Sequence, residues 1–221
     1  MTKPKKIKAW WFAKRDAYGK VRLPHGDGRE VVVGETLSVE GKIVACKNGL
    51  HASVRAMDAL KYAPGSVVCR VEVWGDVAKE SDKVAGRHRK VLWMADADAA
   101  LRHFACDCAE AALLGERKAG REPDPRSWAA IEVARRFADG EATKEELAAA
   151  SAAGDAAASA AGDAAWDAAS AARDAVAAAD AAAWAAARAD RDAAAAWDAQ
   201  NKALEARLNK FARVDEGEDL K

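Results

Sequence analysis

The rhythm of apolar and polar positions changes near residue 96. Before it, apolar residues come in short runs: Ile7–Ala13, Lys20–Leu23, Glu30–Val33, Thr36–Val39 and Ile43–Cys46. Gly, Asp and Pro separate them, so each run predicts a short β-strand. Ser53 is placed to cap a short helix over Val54–Ala63 that Pro64-Gly65 ends. Ser66–Trp74 alternates strictly, with Val67, Cys69, Val71 and Val73 on one side, and predicts a strand half covered by a core. Lys90–Met94 predicts another. Residues 1–95 therefore form a small β-rich α+β domain.

From Asp96 onward the period is helical. Leu101, Phe104, Cys108, Ala111 and Leu114 recur every three or four residues behind a cap at Asp96 or Asp98. A polar loop over Gly115–Arg126 leads to Trp128–Ala138, where Trp128, Ile131, Ala134 and Phe137 align. Thr143 and Glu146 have the spacing of a capping box, in which each side chain bonds the other residue's backbone amide.

Behind that box, 32 of the 52 residues from Ala148 to Ala199 are alanine. Alanine loses no side-chain entropy in a helix, but an alanine face buries little area. A 3.6-residue period carries one phase through the stretch: Leu147, Val176, Trp197, Leu204, Leu208 and Phe211 share a face, and the opposite face is charged. Unbroken, such a helix would run about 100 Å; Gly154 and Gly162 are where it would break. The fold class expected is α+β, with residues 96–221 an all-α, Ala-rich helical bundle containing one very long, continuous or broken helix. The alanine face could pack on the preceding helices or pair two copies as a homodimer.

The charge splits at the same place as the pattern. Residues 1–95 hold 19 Lys and Arg against 10 Asp and Glu, and residues 96–221 hold 16 against 25. The basic part leaves nucleic-acid binding open on charge alone, with no recognised module behind it. The halves could equally attract one another. No apolar run approaches the ~20 residues of a membrane span. The four cysteines lack metal-ligand spacing, and the start lacks a signal-peptide pattern, so reduced thiols in a cytoplasm are expected. No metal or cofactor is implied, and no phosphate-binding, dinucleotide or metalloprotease motif occurs.

Two sets of residues are candidates for function. His51, Ser53 and Tyr62 surround the strand-to-helix handover in Asn48-Gly49-Leu50-His51-Ala52-Ser53, where a helix start would favour an anion. As catalytic residues they are set against a plain alternative, in which Ser53 caps, Tyr62 packs and His51 bonds the backbone. Trp166 and Trp184, five helical turns apart on the charged side, carry Arg173, Arg188 and Arg191 nearby. Trp and Arg dominate interface hot spots, so these five residues are candidates for contact with a partner protein. The competing reading is that the indoles pack inside the molecule.

Gly49-Leu50-His51-Ala52-Ser53, Asp58–Gly65, Val68-Cys69-Arg70-Val71, Asp82-Lys83 and Leu92–Asp96, followed by Ala-rich repeats ending near Trp197–Asn201, resemble a protein family common in phages and prophages. That resemblance implies a phage-associated protein of the bacterial cytoplasm and carries no reaction. The helical part is loosely similar to toxin-immunity proteins. The Gly-Leu-His-Ala-Ser region is distantly similar to the Gly-Ile-Tyr-Phe region of ADP-ribosyltransferases. The expected function is a non-enzymatic binding protein that contacts a host or phage protein and modulates a host process or inhibits a host defence. The alternatives are a nucleotide-binding or ADP-ribosyltransferase-like enzyme, and a structural or dimerisation protein.

Overall fold

A computed structural model describes residues 5–23, 28–161 and 192–214. The fold is α+β, an antiparallel sheet followed by helices. The strands are β1 (Ile7–Ala13), β2 (Thr36–Ser38), β3 (Leu50–Ala52), β4 (Val67–Lys79) and β5 (Val84–Asp96), with a short helix α1 (Ala56–Leu60) between β3 and β4. Then come α2 (Asp98–Lys118), α3 (Pro125–Ala138), α4 (Lys144–Ala161), α5 (Asp192–Leu208) and α6 (Lys210–Val214).

The chain forms two compact units. The first takes the residues up to Ala97 and those from Leu204 on; the second is Asp98–Ala203. The basic and acidic halves of the sequence divide at nearly the same first boundary, but the last helical turns group with the sheet.

In the sheet unit the strand order is β1-β4-β5-β2, and β3 pairs with β5 beside β2. His88–Lys90 of β5 face β2, whereas Val84–Gly86 face β3. One residue past β3, Ser53 exchanges both backbone hydrogen bonds with Trp10 of β1, at 2.7 and 2.9 Å. That pair closes the sheet on itself. Alternation then separates an inside from an outside. Ala9, Val71, Val73, Val91, Leu37 and Leu50 belong to a continuous buried cluster within. Trp10, Phe12 and Val68, one position out of phase, are buried on the outer face.

β4 and β5 run much further than Ser66–Trp74 and Lys90–Met94, 13 residues each. The alternation is masked because the ladder slips between Arg70 and Val71 and again between Trp74 and Val77. Gly75 makes the second slip. Its φ is +87°, and a Cβ there would lie 3.0 Å from the Arg87 and His88 side chains.

Three expected strands fall short. Lys20–Leu23 and Glu30–Val33 make only isolated bridges, Arg15 with Val21 and Arg22 with Glu30. The Asp16 carboxylate organises this segment by accepting the Tyr18 and Lys20 amides. Ile43–Cys46 turns instead of extending: Val44 O accepts the Lys47 and Asn48 amides, and Cys46 has φ +63°. Ser53 is not a helix cap either. Its backbone is committed to Trp10, α1 starts three residues later, and the residue at the helix N-cap, Arg55, makes no side-chain cap.

The helical unit follows its local signals more closely. The capping box at α4 forms, with the Thr143 amide donating to Glu146 Oε2 (2.7 Å) and the Glu146 amide to Thr143 Oγ1 (3.1 Å). Gly154 lies inside α4 and is buried, so the helix does not break there; Gly162 lies outside the described residues. Asp124 caps α3 ahead of Pro125. Arg135 of α3 reaches Asp107 (2.7 Å) and Glu110 (2.6 Å) of α2. On α2, Leu101 and Phe104 are buried as expected, but Cys106 replaces Cys108 in the interior and Leu114 is exposed.

Candidate functional site

Of the three residues proposed for chemistry, His51 and Tyr62 both lie within the influence of Lys83, and Ser53 is buried in the Trp10 pairing. β3 carries Leu50 and Ala52 inward, so His51 projects to the other side and is half-buried. Its Nε2 accepts the Cys46 amide at 3.0 Å, an acceptor role open only to unprotonated Nε2. Burial, and then the positive charges of Lys83 and Arg89, push the imidazole below its ordinary value. The ring therefore latches the Ile43–Asn48 turn to β3. Ser53 is fully buried, with its backbone in the Trp10 pair.

Tyr62, just past α1, is exposed and sits at the β4–β5 turn. Its hydroxyl donates to Asp82 Oδ2 at 2.7 Å and accepts from Lys83 Nζ at 3.3 Å. The ammonium also lies 4.7 Å over the Tyr62 ring and 3.2 Å from Glu80. A hydrogen bond to the Cys46 side chain, then the one to Tyr62, hold Lys83 firmly protonated. Burial and the bond to Asp82 raise the Tyr62 phenol. Lys83 thus gathers the Cys46 turn, the end of α1 and the hairpin turn into one clamp. None of His51, Tyr62 and Lys83 stands ready as a general base.

Two further features lie on the run Arg87-His88-Arg89-Lys90, which by sequence reads either as a phosphate contact or as a solvated strand or loop. On the outer sheet face, Trp74 and His88 are a cross-strand pair whose rings lie 5.5 Å apart and 33° from parallel. Lys6 Nζ sits 4.7 Å over the Trp74 ring and 2.7 Å from Glu72. The next row across four strands is Lys8, Glu72, Lys90 and Thr36. Cross-strand partners share a face, so these rows form one surface with three lysines, a histidine and an indole around one carboxylate.

Inside the sheet, Arg89 is 2% exposed, with its guanidinium 3.8 Å over the Trp11 ring. Nη1 donates to His51 O at 2.7 Å. The period-2 pattern counted back from Val91 does place Arg89 on the buried side, but its position in Arg87-His88-Arg89-Lys90 reads as a solvated basic run.

Trp166, Arg173, Trp184, Arg188 and Arg191, the expected partner-contact residues, lie outside the described residues. Among the described residues, no cluster of three or more His, Cys, Asp or Glu could hold a metal ion, and no helix is long and apolar enough to cross a membrane.

Residues 28–103 match the model of one family, a domain of unknown function (DUF7666). The match runs from before β2 into the first turns of α2 and contains His51, Tyr62, Trp74, Lys83, His88 and Arg89. It leaves out β1, and with it Lys6, Trp10 and Trp11. No curated protein and no solved structure matches the chain.

Proposed function

We propose that the protein is a non-enzymatic binding protein whose sheet unit takes single-stranded nucleic acid on its outer face. The observation that carries this reading is the Trp74–His88 stack, flanked by Lys6, Lys8 and Lys90. Sheet-borne aromatic rings stack on unpaired bases, and adjacent lysines neutralise the phosphates. The single acidic residue in the patch, Glu72, is already paired with Lys6. An excess of basic residues over 1–95 adds long-range attraction for a polyanion.

The enzyme alternative draws no support from its three named residues, because His51 is an acceptor, Ser53 is buried and Tyr62 donates to Asp82. The resemblance to phage and prophage proteins supports a role in the bacterial cytoplasm. The same binding reading extends to the helical part, where Trp166, Trp184 and the arginines suit a host or phage protein.

Fluorescence anisotropy with a labelled single-stranded oligonucleotide tests the nucleic-acid reading. Binding is expected to weaken as salt rises, with a log–log slope that falls when Lys8 or Lys90 becomes Glu. Trp74→Ala should weaken it by about 1–3 kcal/mol per stacked base and Trp74→Phe by less. Absence of binding at low salt, or equal affinity in folded Trp74→Ala, overturns the proposal.

A further inference from the structure

Arg89 is a cation in the wrong place for a purely structural arginine. Arg22, Arg87, Arg102 and Arg135 each hold a carboxylate at hydrogen-bond distance, and all four have substantial exposure. Arg89 lies in the apolar interior and makes no salt bridge with a carboxylate among the described residues. The titratable group that acts on it among the described residues is Cys69, a thiol that burial pushes up to about 12 and hence keeps neutral. Burial pulls Arg89 down to about 10, which still leaves it protonated at neutral pH.

Its hydrogen bonding is lopsided in an informative way. Nη1 is satisfied by His51 O, whereas Nε and Nη2 are buried and have no partner among the described residues. Nε and Nη2 lie on the same edge of the guanidinium, so their N–H bonds form the parallel fork that matches two oxygens of a carboxylate or phosphate. Trp11 lies against the guanidinium plane and fixes it; the Nη1 bond fixes its rotation. Each of these donors left without an acceptor carries its full desolvation penalty, and a buried charge without a counterion costs more. An apolar residue of similar volume would avoid both.

We propose that the Nε–Nη2 edge of Arg89 is a binding site for the oxyanion of a small molecule, a carboxylate or a phosphate, held within the closed sheet. Trp11, partly buried, packs against the core cluster and covers one face of the guanidinium. The site is separate from the outer-face stack and does not depend on nucleic-acid binding.

The test uses the full chain, with sodium phosphate and sodium acetate as probes against sodium chloride at matched ionic strength. In a spectrum of the 15N-labelled protein, the Arg89 Nε–H signal, identified by its loss in Arg89→Lys, should shift saturably with phosphate, acetate or both. Which probe saturates tells phosphate from carboxylate. The melting temperature should rise by several degrees when the favoured anion reaches about 100 times its Kd. Arg89→Lys keeps the charge but removes the fork, and should abolish the saturable rise. Arg89→Met removes the buried charge and should fold, melt no lower than wild type in chloride, and ignore the anions. An Nε–H signal unmoved by either probe up to about 50 mM, a Kd regime already weaker than typical ligands, overturns the proposal. So does an unchanged anion response in Arg89→Met.

Discussion

The Glu205 carboxylate accepts the indole N–H of Trp10, 195 positions earlier, at 3.2 Å. The same Oε1 accepts the backbone amide of Ala56, also at 3.2 Å. One oxygen near the chain's end therefore joins the first strand to the short helix behind β3. Leu204 and Leu208, fully buried beside it, add roughly 2 kcal/mol each by burial. Arg70 lies 4.3 Å over the Trp10 ring, and the Glu205 charge helps offset the cost of burying that guanidinium.

Glu205→Ala should destabilise the sheet unit by about 1–3 kcal/mol, because the Trp10 indole N–H loses its acceptor in a buried setting. Glu205→Gln keeps an oxygen acceptor and should cost less. Urea unfolding followed by tryptophan fluorescence compares the two. Equal losses would mean that the charge on Arg70, not the shared oxygen, is what Glu205 serves.

His51 predicts a pH dependence. Its imidazole titrates below the ordinary 6.5 in the folded chain, so the unfolded state binds the proton more readily. The latch's contribution is full above pH 6.5 and is lost as pH falls from there through the lower folded-state value. The difference in melting temperature between wild type and His51→Phe should shrink across that window. A constant difference would show that the Cys46 amide does not need a neutral ring.

Gly86 on β5 leaves no room for a methyl group, since an added Cβ would run into Val73 Cγ1 and lie 3.1 Å from Trp74 O. Gly86→Ala should cost roughly 1–3 kcal/mol by overpacking. Pairing it with Val73→Ala should recover part of that loss, which a double-mutant cycle in urea would register.

The capping box at α4 is a local device, and its loss should stay local. Thr143→Ala should lower stability by about 1 kcal/mol. Hydrogen exchange should quicken in the first turn of α4 and leave the β4–β5 ladder unchanged. Faster exchange in the ladder would contradict the division into two units.

Much of the architecture was legible because its signals are local. Ile7–Ala13 is a short apolar run, and Thr143 and Glu146 stand at capping spacing; each depends on a few adjacent residues. The candidate chemistry was legible only in part. His51 and Tyr62 are linked through Lys83, which the sequence marked only as part of a resemblance and not for chemistry. Ser53 looked like a cap because hydroxyl residues favour that position, and a pairing with Trp10, 43 residues away, outweighed the preference.

The sequence by itself determined the α+β class, the change from strands to helices near residue 96, and the split between a basic and an acidic part. These follow from period and composition, which need no knowledge of what touches what. Only the tertiary structure decided that the sheet closes between Trp10 and Ser53, that Trp74 stacks on His88 across a slipped ladder, and that Arg89 lies inside with two donors unpartnered among the described residues. It also decided that Leu204 and Leu208 return to the sheet unit. Each of these turns on strand register or on contacts distant in sequence, and a one-residue slip moves every side chain of a strand to its opposite face.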